Sequence, residues 1–463
     1  MKTIIKTFVV LLALLGTYIQ AVAKDYIVTD YGAKGDGKTN NTKAIQKAID
    51  ACAAKGGGRV IIPAGEYLSY LIAVKSNVDL HLQAGAKLSA VADGTKYNAL
   101  VLLENVENAA VTGNGILFGN GGNFAIKEEA PDRPYIIFVK NSKNIVIENV
   151  NLRQGAAWTL RLFRSEHIKV KGISIYSHAN LNNDGIDVDS KDVVISDCII
   201  DCGDDAICLK SEDPGRITEN VTITNCVLAS NCNLIKMGTG SLGGFKNISI
   251  SNCVLRRATE SPFHLWAEKP SHFMTEKITG ISGIALEIVD GGVLDQVTIT
   301  NISMTGVQTP IFMRLGSRKN PTGSFKNVII SNVIATSHSR MSSIIAGLPG
   351  FNIENVILRD IFVNSAGGGT KEDAERKVPE SEKEYPENRM FGWSVPASGL
   401  YIRHAKNITV DNFQVNLRAS DLRPTIFLDD VHQLKATNIK QDGEFIDGKL
   451  VRMVNSEKCV VNP

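Results

Sequence analysis

The feature that most limits the fold of this chain is a short motif that recurs along most of its length. Each copy has an alternating run of β-branched residues, then a pivot that is usually Asn or Asp, then a second short apolar run. The copies are NIVIENVNL (144–152), HIKVKGISI (167–175), VVISDCII (193–200), VTITNCVL (221–228), ISISNCVL (248–255), VTITNISM (297–304), VIISNVIA (328–335), NVILRDIF (355–362) and NITVDNFQV (407–415). In the middle of the chain, neighbouring pivots stand about 23–28 residues apart, a period typical of solenoids.

The apolar pattern within each copy has a period of two, which excludes helical repeats and indicates strands. A single strand pair cannot bury its own inner face, so successive coils must stack, with strands ~4.8 Å apart. We therefore expect an all-β protein, a right-handed single-stranded parallel β-helix. The pivot asparagines are expected to form a ladder at one bend, because Asn tolerates left-handed backbone angles. A ligand-binding row is the less favoured interpretation of this column.

The segment at 28–67 differs from the repeat. It contains an amphipathic pattern at about 41–54, with Ala44, Ile45, Ala48 and Ile49 on one face, followed by a run of glycines at 56–58. The open apolar end of a solenoid needs a cap. We expect this short N-terminal helix to supply it.

The first residues have the composition of a secretory leader. Lys2 and Lys6 precede an apolar stretch at 8–16, and Ala21-Val22-Ala23 provides a cleavage signal. We expect residues 1–23 to be removed and residues 24–463 to form one β-helix catalytic domain that is secreted or periplasmic. No later segment reaches the ~20 apolar residues of a membrane span. The nearly balanced 50 basic and 48 acidic residues lack the basic excess of nucleic-acid-binding proteins.

A segment at about 365–399 interrupts the repeat with charged residues, Pro and Gly, and it ends in aromatics. An inserted loop on a repeat scaffold is typically the wall of a cleft. A disordered surface excursion is the alternative for its charged first half.

The eight cysteines are expected to be mostly unpaired. Cys198, Cys226 and Cys253 occupy the same slot of three similar copies, which predicts a buried column of small apolar side chains. A disulfide between Cys202 and Cys208 is the less favoured alternative.

Six aspartates lie within LNNDGIDVDS (181–190) and IIDCGDDAICLKS (199–211). Asp184 and Asp204 are separated by nearly one coil and should lie on adjacent coils, with Asp205 beside them. Crowded carboxylates raise the pKa of at least one member, which provides a proton donor next to an ionised partner. Such a pair suits glycoside hydrolysis. A Ca²⁺-dependent lyase site, or turn-capping aspartates in a non-catalytic carbohydrate-binding or surface protein, are the alternatives.

The run Asn182-Asn183-Asp184-Gly185, followed by Gly203-Asp204-Asp205, resembles the motifs of glycoside hydrolase family 28, the polygalacturonases and rhamnogalacturonan hydrolases. The segment 28–67 is similar to the opening of pectin-active β-helix proteins. The resemblance implies inverting hydrolysis of an α-galacturonosyl bond without a metal or other cofactor. It implies that Asp204 is the general acid and that Asp184 and Asp205 activate the water.

Two segments depart from the polygalacturonase pattern. Where these enzymes have Gly-His-Gly, this chain has NCNLIKMGTGS (231–241), with Asn233 or Cys232 in place of the histidine. Where they have Arg-Ile-Lys, it has IALEIVDGG (284–292), and we expect Glu287 there to repel a uronate. These departures favour a rhamnogalacturonan-type or galacturonidase substrate over plain polygalacturonate. A polygalacturonase proper remains the alternative, with bases such as Arg314, Arg318 or Lys236 binding uronates.

The predicted substrate-binding residues are amide, basic or aromatic side chains near these motifs: Asn182, Lys210, Asn233, Lys236, Arg314 and Trp393. Trp158 is a second aromatic candidate, and His178 is a candidate support for the carboxylates. Solvated lysines and core tryptophans are the ordinary alternatives. The expected partner is a pectic polysaccharide or oligosaccharide, and the sequence leaves the oligomeric state open.

Overall fold

The computed structural model describes residues 25–127, 132–265, 268, 275–319 and 322–462, so the predicted leader lies outside the described residues. The strands pair in parallel, apart from one short antiparallel pair near the C-terminus. Each strand pairs with a strand of the next coil. The all-β parallel helix predicted from the repeat is therefore confirmed, while its right-handed sense stays a prediction.

The first coils contain ten short strands. They are β1 Asp25–Ile27, β2 Asp36–Asn40, β3 Gly58–Ile62, β4 Gly65–Ser69, β5 Ile72–Ala73, β6 Val78–Leu82, β7 Ala86–Ala90, β8 Ala99–Glu104, β9 Glu107–Gly113 and β10 Ile116–Phe118. The middle coils contain β11 Tyr135–Lys140, β12 Lys143–Glu148, β13 Asn151–Arg153, β14 Leu160–Lys171, β15 Ser174–Ser177, β16 Ile186–Ser196, β17 Ile199–Cys202, β18 Ile207–Ser211, β19 Thr218–Thr224, β20 Val227–Ser230, β21 Asn233–Ser241 and β22 Gly244–Arg257.

The last coils have longer strands that continue around bends. They are β23 Gly280–Ile288, β24 Val293–Leu315, β25 Ser324–Ser337, β26 Ser343–Ala346, β27 Ile353–Ser365, β28 Leu400–Leu417, β29 Ile426–Thr437, β30 Lys440–Gln441, β31 Glu444–Phe445, β32 Val451–Val454 and β33 Glu457–Val461. The α-helices are α1 Thr42–Ala54 and α2 Lys371–Glu375, and 3₁₀ turns occur at Val28–Tyr31, Gly121–Asn123, Asn388–Phe391 and Gly448–Leu450. None of the described helices meets the length and apolarity of a membrane-crossing segment.

The core runs along the inside of the coils as columns of like side chains. One column follows the strand register through five coils, with the residues Ile186, Ile207, Ile235, Ile284 and Ile311. Each of these side chains is at most 1% exposed. Burying an isoleucine stabilises the fold by about 1.5–3 kcal/mol, so every added coil extends the apolar interior.

The asparagine ladder predicted at the pivots is present. Asn301 Nδ2 donates to Asn252 Oδ1 at 3.0 Å, and Asn332 Nδ2 donates to Asn301 Oδ1 at 3.1 Å. These residues have φ of +55 to +57°, which Asn adopts more readily than most residues. A second ladder, which includes Asn327, Asn355 and Asn407, lies at another bend.

The cysteine predictions are also confirmed. Cys198, Cys226 and Cys253 are buried and follow the strand register from coil to coil. All eight cysteines are free, so Cys202 and Cys208 form no disulfide.

Helix α1 is the amphipathic segment predicted near the N-terminus. Its buried residues, Ile45, Ala48, Ile49 and Cys52, join the same apolar core as the first coils. Its role as a cap stays a prediction.

The inserted segment between β27 and β28 packs against the outside of the coils. Phe391, Val395 and Ala397 are buried in a cluster with Phe312 and Tyr401. The charged first half contains α2, whose residue Asp373 is also buried. This half is therefore not a loose surface excursion.

Candidate active site

The strand register places the predicted carboxylates on neighbouring coils. Ile186 pairs with Ile207, and Gly185 N donates to the Asp205 carbonyl at 2.9 Å. Extending this register puts Asp184 directly beside Asp205, and Asp204 beside Asn183. The predicted grouping of Asp184, Asp204 and Asp205 on one face is therefore observed, with Asp205 rather than Asp204 as the direct neighbour of Asp184.

These three carboxyl groups line an open cleft of about 610 Å³. The other lining residues are Asn98, Arg133, Tyr135, Ala157, Trp158, Asn182, Lys210, Glu212, Thr239, Gly240, Leu242, Asp290, Arg318, Lys319 and Tyr385. Five acidic and four basic residues share the lining, so the cleft presents both charges at close range.

Asp205 is the most heavily hydrogen-bonded of the three carboxyl groups. Its Oδ2 lies 2.9 Å from Lys236 Nζ, and its Oδ1 accepts hydrogen bonds from the backbone and side-chain nitrogens of Asn233 at 3.1 and 2.9 Å. Burial raises the pKa of Asp205, but Lys236, Lys210 and Asn233 outweigh this effect and hold the pKa below its ordinary value. Asp205 is therefore the ionised member of the cluster.

Asp204 and Asp184 differ from Asp205 in electrostatic character. Burial and the adjacent Asp205 raise the pKa of Asp204. Burial, then Asp187 and Asp204, raise the pKa of Asp184 well above its usual range. The site thus combines a stabilised carboxylate with two carboxyl groups that retain a proton more readily, which is the combination that acid–base chemistry requires.

Lys236 and Asn233 were predicted to bind substrate, but the structure places them behind Asp205. Both side chains are 2% exposed, and neither lines the cleft. Cys232, the other residue at the expected histidine position, has its thiol within 4.8 Å of carboxylate oxygens of Asp204 and Asp205. Cys232 therefore lies beside Asp204 and Asp205, and Asn233 contacts Asp205, but neither residue supplies an imidazole.

Lys210 and Asn182 do line the cleft, as predicted. Lys210 Nζ lies 3.3 Å from Asp187 Oδ1 and 4.5 Å from the ring centroid of Trp158. Burial raises the pKa of Asp187 to about 6, although Lys210 opposes the shift. Asn182 Oδ1 accepts a hydrogen bond from Arg133 at 3.0 Å. Arg133 is a cleft residue that no motif in the sequence had indicated.

Two other predicted substrate-binding residues lie elsewhere. The Arg314 side chain is 1% exposed and donates to the carbonyls of Gly347, Glu380 and Ser381. It therefore holds the inserted segment and does not reach the cleft. Trp393 donates its indole N–H to Asp373 and stacks with Arg376, also away from the cleft.

The expectation that Glu287 repels a uronate is wrong in its geometry. Glu287 is fully buried and packs against Gly238. A Cβ added to Gly238 would lie 3.3 Å from Glu287 Oε2. Neither carboxyl oxygen has a hydrogen-bond partner among the described residues. Burial raises the pKa of Glu287 to about 8, so the group is uncharged at neutral pH.

Asp290, Arg318, Lys319 and Tyr385 line the far wall of the cleft. Of these, only Arg318 was named from the sequence. Arg318 donates to both oxygens of Asp290 at 2.8 and 2.7 Å, and Lys319 Nζ lies 3.7 Å from the same carboxylate. Tyr385 comes from the inserted segment, which confirms that this segment forms a wall of the cleft. The interruption of the repeat predicted this wall, but no motif in the sequence singled out Tyr385.

His178 supports the strand that leads to the carboxylates. Its Nε2 lies 3.0 Å from Asp201 Oδ1, and Arg256 donates to Asp201 Oδ2 at 2.9 Å. Asp201 precedes Gly203-Asp204-Asp205 by two residues. The pair is buried and lies outside the cleft lining.

Clustered carboxylates on the outer face of this parallel β-helix, flanked by basic and aromatic side chains, form the kind of cleft that suits a carbohydrate-processing protein. Comparison with known proteins narrows this class. A family model described as "Glycosyl hydrolases family 28" matches residues 52–261, which include Asp184, Asp204 and Asp205. Over this segment the chain is similar to glycoside hydrolase family 28.

Similar proteins carry related names. The chain is 31% identical over 214 residues to a probable polygalacturonase of Vitis vinifera, covering 40% of this chain and 44% of that protein. It is 28% identical over 254 residues to an exopolygalacturonase of Zea mays, covering 50% and 59%. The chain thus spans about half the length of these two relatives. An exopolygalacturonase structure from Thermotoga maritima is similar in fold, with a TM-score of 0.63, 20% identity and coverage of 84% and 91%.

Proposed function

We propose that this protein is a pectin-degrading glycoside hydrolase that cleaves α-galacturonosyl linkages. The observation that carries the proposal is the contrast between Asp205, held ionised by Lys236 and Asn233, and Asp204, whose pKa is raised next to it. The matched family and the polygalacturonase names of similar proteins support the same reaction.

In this proposal Asp204 is the general acid. It is more exposed to the cleft than Asp205, and its raised pKa keeps a proton available for the leaving oxygen. Asp205 is the main base for the attacking water, because it is the carboxylate held ionised. Asp184, next to Asp205 across the coil, orients that water. Direct attack of water inverts the anomeric configuration.

The substrate is an acidic polysaccharide or oligosaccharide. Arg133, Lys210, Arg318 and Lys319 line the cleft and offer basic groups that can contact the carboxylates of uronates. Because Glu287 is buried and neutral, it gives no reason to exclude galacturonate from the cleft. We therefore propose a galacturonidase acting on a galacturonate chain as the first candidate.

A rhamnogalacturonan-type substrate is the second candidate. The observation that favours it is the presence of Cys232 and Asn233 where polygalacturonases have a histidine, combined with the absence of an Arg-Ile-Lys run at 284–292. A neutral rhamnose on the leaving-group side would not need those basic residues.

A Ca²⁺-dependent lyase fits the cleft less well. Lys236 Nζ lies 2.9 Å from Asp205, and Lys210 Nζ lies 3.3 Å from Asp187, so ammonium groups already occupy the positions next to two of the carboxylates. A calcium site requires six to eight oxygen ligands around one point. A lyase would also leave a double bond in its product, which ultraviolet absorbance detects.

We further propose that the protein is exported after removal of residues 1–23, and that helix α1 caps the N-terminal end of the coil. N-terminal sequencing of the protein recovered outside the cytoplasm tests the first point. A mature chain that begins at Lys24 supports it, and an intact Met1 end contradicts it.

Product analysis on polygalacturonate and rhamnogalacturonan side by side tests the proposed function. We expect new saturated reducing ends from at least one polymer, with the anomer opposite to that of the substrate visible first by NMR. Release of monomer from the start indicates exo action, whereas a ladder of oligomers indicates endo action. A product that absorbs as an unsaturated uronate, or no product from either polymer, would contradict the proposal.

A further inference from the structure

Tyr385 is the one aromatic residue of the inserted segment that lines the cleft among the described residues. Its side chain is 50% exposed. The phenol oxygen lies 3.4 Å from Lys236 Nζ, and Lys236 in turn contacts Asp205 at 2.9 Å. Tyr385 is therefore joined to the catalytic carboxylates through one ammonium group.

The segment around Tyr385 is held firmly on both sides. On the N-terminal side, Arg314 donates to the carbonyls of Glu380 and Ser381, and Ser317 N donates to the Glu382 carbonyl at 2.8 Å. On the C-terminal side, the buried Asn388 donates to Thr309 Oγ1 at 2.8 Å. The position of the phenol in the cleft is thus set by the scaffold.

The hydrogen-bond chemistry of this contact has a direction. An ammonium group has only donors, so the phenol oxygen accepts from Lys236 and its own hydrogen is left to donate elsewhere. Lys236 lowers the pKa of Tyr385, but burial, Asp205 and Glu287 raise it to about 12. The phenol therefore keeps its hydrogen across the ordinary pH range.

The surroundings of the phenol favour an anionic acceptor. The ring centroid lies 5.5 Å from Lys236 Nζ and 5.6 Å from the guanidinium carbon of Arg318. Lys319, whose side chain is 58% exposed, lines the same wall. Hydrogen bonds to charged groups are about twice as strong as those between neutral groups.

We infer that Tyr385 determines specificity by donating its phenol hydrogen to the carboxylate of the uronic acid bound beside Asp205. This inference deepens the proposed function and rests on it for the identity of the sugar. It assigns a recognition role to the inserted segment, which supplies a neutral donor where polygalacturonases have a basic tripeptide on another strand.

The test is binding of trigalacturonate and of its methyl ester by calorimetry, in an Asp204→Asn background that leaves the ligand uncleaved. We expect Tyr385→Phe to raise the Kd for the free acid about 10- to 100-fold and the Kd for the ester by at most a few-fold. Tyr70→Phe is the matched control, because it removes another phenol hydroxyl, which donates to the Asp93 carboxylate outside the cleft. It should leave both Kd values unchanged.

An equal change of Kd for the acid and the ester, or no change for either, would overturn the inference. Because binding is measured without turnover, this outcome is independent of whether the wild-type protein hydrolyses pectin. Circular dichroism checks that Tyr385→Phe keeps the fold, which we expect because the side chain is half-exposed.

Discussion

Asp205 Oδ2 and Lys236 Nζ lie 2.9 Å apart, with both side chains at most 4% exposed. Lys236 was expected to bind the substrate, but it is buried and forms an ion pair with Asp205 on the side away from the cleft. A buried ion pair of this kind keeps one carboxylate ionised in a cluster where crowding otherwise favours protonation.

Replacing Lys236 with Met should destabilise the fold strongly, because it leaves the buried Asp205 charge without its ammonium partner. We expect the free energy of unfolding at pH 7 to fall by about 3–5 kcal/mol, as measured by urea denaturation. The double variant Lys236→Met/Asp205→Asn should recover most of this loss.

The same pair predicts a pH dependence. The pKa of Asp205 is lower in the folded state than its ordinary 3.8, so the pair stabilises the fold above that value and the stabilisation is lost as the pH falls through the folded pKa. The difference between wild type and Lys236→Met should therefore shrink below about pH 4. A difference of equal size above and below about pH 4 would contradict this prediction. Equal stability of the single and double variants at pH 7 would contradict the recovery expected of the double variant.

Glu287 predicts a pH dependence of the opposite sign. Its pKa rises from 4.5 to about 8 on folding, so the folded state retains a proton that the unfolded state releases, and stability is lost between these two pH values. Glu287→Gln should thus be more stable than wild type at pH 8 by a few kcal/mol, on the order of the buried-carboxyl penalty, and by much less at pH 5. Parallel urea titrations at the two pH values check this, and an advantage of equal size at both would refute it.

The asparagine ladder can be separated into its backbone and side-chain parts. Asn301→Ala loses both ladder hydrogen bonds and places Ala at φ +57°, which adds about 1–2 kcal/mol of strain. Asn301→Gly loses the same bonds without the steric strain. We expect the Ala variant to be the less stable of the two in urea denaturation. An Ala variant more stable than the Gly variant would contradict this prediction, because it would mean that the positive φ at position 301 does not strain Ala.

Arg314 is predicted to act through the inserted segment. Arg314→Met removes the donors to the Glu380 and Ser381 carbonyls, so the segment should open more often. We expect trypsin to cleave within 365–399 about 10- to 100-fold faster, and KM to rise more than kcat falls. Arg359→Met, which removes an exposed arginine on another part of the coil, serves as the control. An unchanged cleavage rate would contradict the anchoring role.

The repeat predicted the scaffold well because its evidence is local. The alternation of β-branched residues defines the strands, and Asn225, Asn252 and Asn301 define a bend, so stacking follows from the period. The spacing of Asp184 and Asp204 placed them on adjacent coils for the same reason. Only the exact register, which sets Asp184 beside Asp205, needed the structure.

The roles of the side chains around the carboxylates were harder to predict, because they depend on how deeply each side chain is buried. Lys236, Arg314 and Glu287 are charged residues on outward-facing strand positions, and such positions are normally solvated. Here all three are buried, and the inserted segment contacts Arg314 through Glu380 and Ser381 and Lys236 through Tyr385. Nothing in the repeat pattern shows where a segment nearly a hundred residues away from Glu287 will pack. For this reason the sequence wrongly predicted Trp393 as a substrate-binding residue and did not predict Tyr385 as a cleft residue.

The most direct test of the account is the rate of reducing-end release by wild type and by Asp204→Asn on the pectic polymer that proves to be the better substrate. The substitution removes the acid at nearly constant shape. We expect kcat to fall by about 10²–10⁴-fold, with the fold and the affinity for oligogalacturonate nearly unchanged. Retention of more than about a tenth of the wild-type rate would contradict the assignment of Asp204 as the general acid.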